Sequence, residues 1–368
     1  MNKSKYLIIG KLPPPFYGTS VWFSTLYNNI KLKNYGFFFY NISINSSIKT
    51  LSKFSTSKIF LVLKKYIGFK KLLSQRCPKV VLIPLSQSLL GILRDSYFIR
   101  TSVKKGCLVL LILHGSNLLS WYKRQNTIIR KYVNLYLSKA EGALVLGNNL
   151  KYIFEHFLPS EKIYVVPNGL NIEFPVVSKN KSVMQLLYLG NLQHTKGITD
   201  IIEALTLIDN RLYNKFRLDV VGSWREKSTK ELCFKMISRN NLPVKFLGSL
   251  YHGDKNKVLA GSDVLIFTPR APEGHPLVII EAMAAGLPVI STDQGAITEL
   301  VINGVNGFIV EKQNPESIAS KIKYFIGNET IRKKMGKESR RIYEQEFTED
   351  IMVDKLIDVF DSVLESNE

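Results

Sequence analysis

The sequence predicts a doubly wound α/β protein of two domains. Three observations carry that expectation. Short apolar runs alternate with helix-like segments, the alternation restarts after a polar stretch at 176–182, and 368 residues exceed one ordinary core. Parallel strands buried on both faces read as such unbroken apolar runs.

Tyr6–Gly10 reads as the first strand, followed by a Pro/Gly loop and a helix over Ser20–Leu32. Val80–Pro84, Leu108–His114, Ala143–Leu146 and Ile163–Val166 read as further strands. Val176–Ser182 is polar and lysine-containing and reads as a linker. The pattern resumes with a strand at Gln185–Leu189, a helix at Gly197–Leu207, a strand at Phe216–Val221, a helix at Glu231–Asn240 and a strand at Val244–Leu247. Asp263–Phe267, Val289–Ser291 and Phe308–Val310 complete the strands, and Glu316–Glu368 reads as mainly helical. Two such arrays imply two Rossmann-like domains, residues 1–175 and 176–344, facing a cleft. Ligands in such sheets bind beyond the carboxyl ends of the strands.

A hydrophobic content of 45% supports packed cores and excludes disorder. The longest apolar runs, Lys79–Leu93 and Cys107–Leu119, are interrupted and fall short of a membrane span. Tyr6–Ile9 is too short an apolar run for a signal peptide. Cys77, Cys107 and Cys233 are odd in number and widely spaced, so neither a disulfide framework nor a zinc site follows, and a reducing cytoplasm is expected. The net charge of +20 is uneven. Residues 1–175 hold 25 Lys/Arg against 5 Asp/Glu, whereas residues 176–368 hold 25 of each. That asymmetry suggests an anionic partner for the first half, with nucleic acid and anionic lipid as the two classes, and a lysine-biased surface as the plain alternative.

The segment most informative about chemistry is PEGHPLVIIEAMAAGLPVISTDQGA, residues 272–296. Pro272, Gly274 and Pro276 forbid a regular element at its start. Leu277–Ala285 then reads as a buried helix, and Gly286-Leu-Pro288 stops it. Glu273 therefore lies in the loop ahead of the helix, and Glu281 inside it, roughly two turns in. A buried helix does not carry an ionised glutamate without a partner. A helix N-terminus attracts phosphate through its free N–H groups. Such a loop and helix would hold an anionic ligand with a carboxylate at each end; the plain alternative is a capping glutamate and a structural salt bridge.

Further groups fall at strand ends. Lys196-Gly197 joins the loop after Gly190 to a helix, where a lysine would meet a phosphate as a point charge. His114 ends the strongest strand of the first half. Gly18, in Pro13-Pro-Pro-Phe-Tyr-Gly-Thr-Ser20, allows close backbone approach ahead of a helix. No Asp-x-Asp pair or His/Cys cluster suggests a bound divalent metal.

Residues 272–296, with Gly295, Glu299, Asn303-Gly304 and Asn306-Gly307-Phe308, resemble the E-x7-E signature of retaining glycosyltransferases of the two-domain GT-B fold. That is the large group 1 family (family 4) that includes sucrose synthases and mannosyltransferases. The resemblance implies a nucleotide-diphosphate sugar as donor, no metal cofactor, and transfer with retention. It assigns Glu273 and His114 to the donor sugar and Glu281 to the ribose. Lys196 takes the lysine of a phosphate clamp, with Gly18 and the backbone N–H groups of Gly274, His275 and Leu277 also on the donor. The clamp's arginine position holds Asn191, which carries no charge; either one cation suffices, or another such as Arg225 supplies the charge. Val165–Leu170 resembles a hinge-proximal turn, and the family's last helix, near residues 345–368, crosses back to the first domain.

Residues 57–76 interleave Lys58, Lys65, Lys70 and Lys71 with Phe60, Leu61, Ile67, Phe69 and Leu72. That is the pattern of a helix lying in a membrane interface, or of an ordinary surface helix. The expected protein is a cytoplasmic glycosyltransferase at the inner face of the membrane, acting on a glycan or lipid-linked acceptor in surface polysaccharide biosynthesis. A nucleotide-sugar epimerase of the same fold is the second enzyme reading. A basic nucleic-acid-binding protein is the non-enzyme reading, without a recognition motif to support it.

Overall fold

The computed structural model describes residues 5–14, 16–43, 56–177 and 182–367, with the backbone alone for 56–59. It divides into two units, residues 1–168 with 349–368, and residues 169–348. Residues 178–181 of the expected linker lie outside the described residues.

The first unit is built on six parallel strands: β1 Tyr6–Gly10, β2 Phe37–Asn41, β3 Val80–Pro84, β4 Leu108–Ile112, β5 Gly142–Val145 and β6 Ile163–Val165. Their order across the sheet is β2-β1-β3-β4-β5-β6. Every residue of β1 and of β5 is buried, as their apolar runs require when helices cover both faces. Helix Glu349–Glu365 belongs to this unit. Its Phe360 ring lies edge-on to Tyr6 and Phe37, and its Asp361 accepts a 2.5 Å hydrogen bond from the Tyr6 hydroxyl.

The second unit repeats the design with β7 Met184–Leu189, β8 Phe216–Val221, β9 Val244–Gly248, β10 Val264–Phe267, β11 Val289–Thr292 and β12 Gly307–Val310. All are parallel, in the order β12-β11-β10-β7-β8-β9. The fold class expected from the apolar runs is the one observed.

Three local expectations are corrected. The helix expected over Ser20–Leu32 is two helices, Gly18–Asn28 and Ile30–Asn34. Asn29 is extended between them, and its side-chain oxygen accepts from the Leu32 N–H at 3.0 Å, so it caps the second helix instead of continuing the first. β2 was not expected; its Phe37-Phe-Phe-Tyr run follows Gly36, whose φ of +100° makes the turn into the strand. β4 ends at Ile112, with pairing carried on by the Leu113 N–H to Leu144 O at 3.3 Å, so His114 stands two residues beyond the strand.

Candidate active site

The second unit brings most of the expected residues together at one end of its sheet. β7 and β10 are neighbours, yet β8 and β9, which follow β7 in sequence, lie on its other edge. Ligands in open α/β sheets bind at this kind of reversal. The loop after β7 carries Asn191 and Lys196, and the loop after β10 carries Glu273.

Backbone bonds hold these loops together. The N–H groups of Arg270 and Ala271 both donate to Thr195 O, at 3.0 and 3.3 Å. Gly197 adopts φ +80°, and a Cβ there would lie 1.9 Å from Thr268 O, so only glycine fits between helix Ile198–Thr206 and the end of β10. Side chains add a second tie. Arg270 Nε donates to the buried Asp200 at 2.7 Å, and its Nη1 meets His194 Nε2 at 2.6 Å. Because a guanidinium only donates, Nε2 accepts, and Nδ1 carries the proton given to Thr199 Oγ1 at 3.1 Å.

On this frame Lys196 Nζ and Glu273 Oε1 form an ion pair. Burial pushes the Glu273 carboxyl above its usual range, and Lys196 opposes that shift. The glutamate loop is pinned from behind by Gly295, φ +63°, whose Cβ would lie 1.8 Å from Glu273 O. The Ala296 N–H donates to Gly274 O at 3.0 Å.

Helix Leu277–Ala284 follows, with Pro276 at its N-cap and no side-chain cap on its first N–H groups. Glu281 is its fifth residue, little more than one turn in rather than two. It is buried; its Oε1 accepts from Lys255 Nζ at 2.7 Å, and its Oε2 has no partner. The His275 imidazole is buried beside Phe347, with ring centroids 5.4 Å apart, and burial lowers its pKa to about 3. The His275 side chain therefore packs inward.

Asn191 is not isolated. Arg225, from the loop after β8, donates Nε and Nη2 to Asn191 Oδ1 at 3.0 and 2.9 Å. The two loops are zipped by the Leu192 N–H to Ser223 O at 2.9 Å and the Arg225 N–H to Leu192 O at 3.0 Å. Among the described residues Arg225 has no carboxylate partner, so its charge stays unspent beside the position where the family pattern has an arginine.

His114 and Gly18 belong to the first unit. His114 lies edge-on to Trp22, centroids 4.6 Å apart, and enclosure by protein lowers its pKa to about 3, so the imidazole is neutral. Gly18 opens helix Gly18–Asn28, and a Cβ on it would meet open space. Sequence reasoning missed Arg270, Asp200, His194 and Lys255. Arg270 carried a usable signal, as the first charged residue after β10; Lys255 carried none, because its helix, His252–Gly261, gives no hint of what it faces. Among the described residues no group of three His, Cys, Asp or Glu could hold a metal ion, and no helix is long and apolar enough to cross a membrane.

Residues 171–342 match the family model described as glycosyl transferases group 1. The capsular polysaccharide biosynthesis glycosyltransferase CapM of Staphylococcus aureus is 29% identical over 261 residues, 65% of this chain and 67% of that protein. The N,N'-diacetylbacillosaminyl-diphospho-undecaprenol alpha-1,3-N-acetylgalactosaminyltransferase of Campylobacter jejuni is 25% identical over 221 residues, 60% of this chain and 54% of that protein. The chain thus spans between about half and two thirds of these relatives' length. The fold matches Anabaena Alr3699/HepE, solved with UDP, at a TM-score of 0.77 and 18% identity, over 97% of this chain and 100% of that one.

Proposed function

We propose that this chain, whose residues 171–342 match the glycosyl transferases group 1 family model, is a member of that family and moves a sugar from a nucleotide-diphosphate sugar to an acceptor with retention. The observation that carries this reading is the meeting of Lys196 and Glu273 at the reversal between β7 and β10, with Arg225 beside them on Asn191. Lys196 and Arg225 hold the diphosphate and stabilise it as it leaves. An ammonium has three donors, and the pair with Glu273 takes one. The uncapped N–H groups at Leu277 add to this field. The free Oε2 of Glu281 accepts from a ribose hydroxyl. Glu273 orients the donor sugar, and His114 keeps the contact with that sugar which the family resemblance assigns. Gly18 and the backbone of Gly274 and His275 complete the donor contacts. No divalent metal is used.

The acceptor is a glycan or lipid-linked precursor in surface polysaccharide biosynthesis. The relatives named for capsule synthesis and for a diphospho-undecaprenol acceptor favour that class. The enzyme works in the cytoplasm, held peripherally on the inner face of the membrane by its basic first half.

A screen of nucleotide sugars by thermal shift tests the donor, since bound donor raises Tm by mass action. Transfer is then followed with and without EDTA. A raised Tm, transfer to acceptor and insensitivity to EDTA are expected. Conversion of donor sugar without acceptor would favour the epimerase; loss of transfer in EDTA, restored by Mg²⁺ or Mn²⁺, would overturn the metal-free diphosphate site.

A further inference from the structure

The carboxyl ends of β1, β3 and β4 in the first unit line a partly open cavity of about 100 Å³. Its wall includes Lys11, Tyr17, Trp22, Ser86, Arg94 and His114. β1 and β3 are neighbours although β2, between them in sequence, lies on β1's other edge. The cavity therefore sits at this sheet's own order reversal. It exceeds what a single water needs, about 10–15 Å³.

The polar groups around it are unevenly satisfied. Asp95 is buried and fully engaged: Arg94 donates Nε and Nη2 to its Oδ1 at 2.8 and 2.6 Å, and the Ser86 N–H donates to its Oδ2 at 2.7 Å. Arg94 Nη2 also reaches Ser86 Oγ at 2.8 Å. Lys11 makes no hydrogen bond or ion pair among the described residues. Burial and the neighbouring Arg94 lower its pKa to about 8, with Asp95 opposing. Trp22 is buried, and its Nε1–H reaches no acceptor. The unmet groups of this cavity thus include two donors, the Lys11 ammonium and the Trp22 indole N–H, beside a second cation whose only carboxylate is already shared. A buried donor left unmet is costly, and its complement is an acceptor carrying negative charge.

We infer that this cavity binds an oxyanion of the acceptor, a carboxylate or phosphoryl group, with Lys11 as its counter-ion and Trp22 Nε1–H as its neutral donor. Assigning the oxyanion to the acceptor rests on the transferase reading; the oxyanion site itself does not. The site selects acidic acceptors over neutral ones, because a neutral hydroxyl leaves the Lys11 ammonium without a counter-charge.

The chain has three tryptophans, so the Trp22 indole N–H resonance can be assigned with Trp22→Phe and followed by NMR in the full chain. Glucuronate, inorganic phosphate and uncharged glucose are the probes. Glucuronate, phosphate or both should shift the Trp22 resonance, and glucose should not; which oxyanion binds more tightly tells carboxylate from phosphoryl. Lys11→Met should weaken binding by about tenfold or more, and Lys11→Arg should retain it. Lys11 faces the Arg94–Asp95 ion pair, Tyr17, whose pKa burial raises, and the neutral His114. Lys11 is thus the group that loses its charge as pH rises through about 8, and wild-type binding should fade across that range. An equal response to glucose, no response to either oxyanion, or undiminished binding by a folded Lys11→Met variant would overturn the site. A nucleoside diphosphate titration read at the Trp224 resonance reports separately on the second unit, so a failure of the donor reading is told apart from a failure of this one.

Discussion

Lys196 and Glu273, 77 positions apart in sequence, form one ion pair across the ends of neighbouring strands β7 and β10. Neither side chain is positioned by its own segment alone. Thr195 O receives two backbone N–H groups from the Glu273 loop, and Arg270 ties that loop to Asp200 and His194.

Glu273→Gln is expected to lower transfer by ~10²–10³ while leaving the fold intact. Its effect on stability has a definite sign. Burial raises the folded-state pKa of Glu273 above its ordinary value, Lys196 notwithstanding. The stability linked to its proton is fully present below the unfolded pKa and is lost as pH rises through the folded one. The variant, which never ionises there, should gain in Tm relative to wild type as pH rises from the ordinary carboxylate range toward neutral. Paired melting curves check this; near-normal transfer by the folded variant would contradict the role of Glu273.

Arg225→Ala should reduce kcat/KM for the nucleotide sugar about tenfold or more, the worth of one charge-assisted phosphate contact of ~1.5–3 kcal/mol. The double variant Asn191→Arg with Arg225→Ala should recover much of the loss, since it returns a guanidinium to the same end of the sheet, on the neighbouring strand's loop. An unchanged kcat/KM in the single variant would mean that Arg225 merely braces the Asn191 loop.

Lys255→Ala strips Glu281 of its partner and leaves a buried carboxylate with neither oxygen satisfied. Breaking a buried pair costs about 3–5 kcal/mol. Lys255 is partly exposed, so a loss near the low end is expected in urea denaturation. Adding Glu281→Gln should restore part of it, because the stranded charge is gone. Additive effects of the two substitutions would show that the pair is not coupled.

Helix Thr56–Arg76 buries Phe69 and Leu73 but leaves Phe60, Leu61, Leu63 and Ile67 exposed among Lys64, Lys70 and Lys71. Lys65 is committed elsewhere, donating to Asn41 O at 2.6 Å. Liposome flotation should show binding to anionic vesicles that salt only partly releases. Each exposed lysine contributes ~1 kcal/mol of screened attraction, and the apolar residues add an unscreened part. Changing Lys64, Lys70 and Lys71 to Glu should remove the anionic preference, and Phe60 and Ile67 to Ser the salt-resistant fraction. Equal flotation on neutral vesicles would refute the electrostatic part.

Most of the strands were legible in the sequence because a parallel strand buried on both faces is apolar throughout or nearly so, as in Leu108–Ile112 or Val264–Phe267. The Glu273–Glu281 segment was legible too, since Pro and Gly fix where its loop ends and its helix begins. Helix breaks at single polar residues, such as Asn29, were not, because Asn both tolerates helix and caps it, and the choice depends on neighbours in space. Nor did the sequence disclose which charges meet. Lys196 with Glu273, Lys255 with Glu281, Arg225 with Asn191, and the unpartnered Lys11 beside Arg94 are decided where parallel strands bring distant loops and helices side by side. Local pattern determines which residues are buried and which loops carry charge. Only the strand order, reversed once in each sheet, decides which loops become neighbours and which charges are left without a partner.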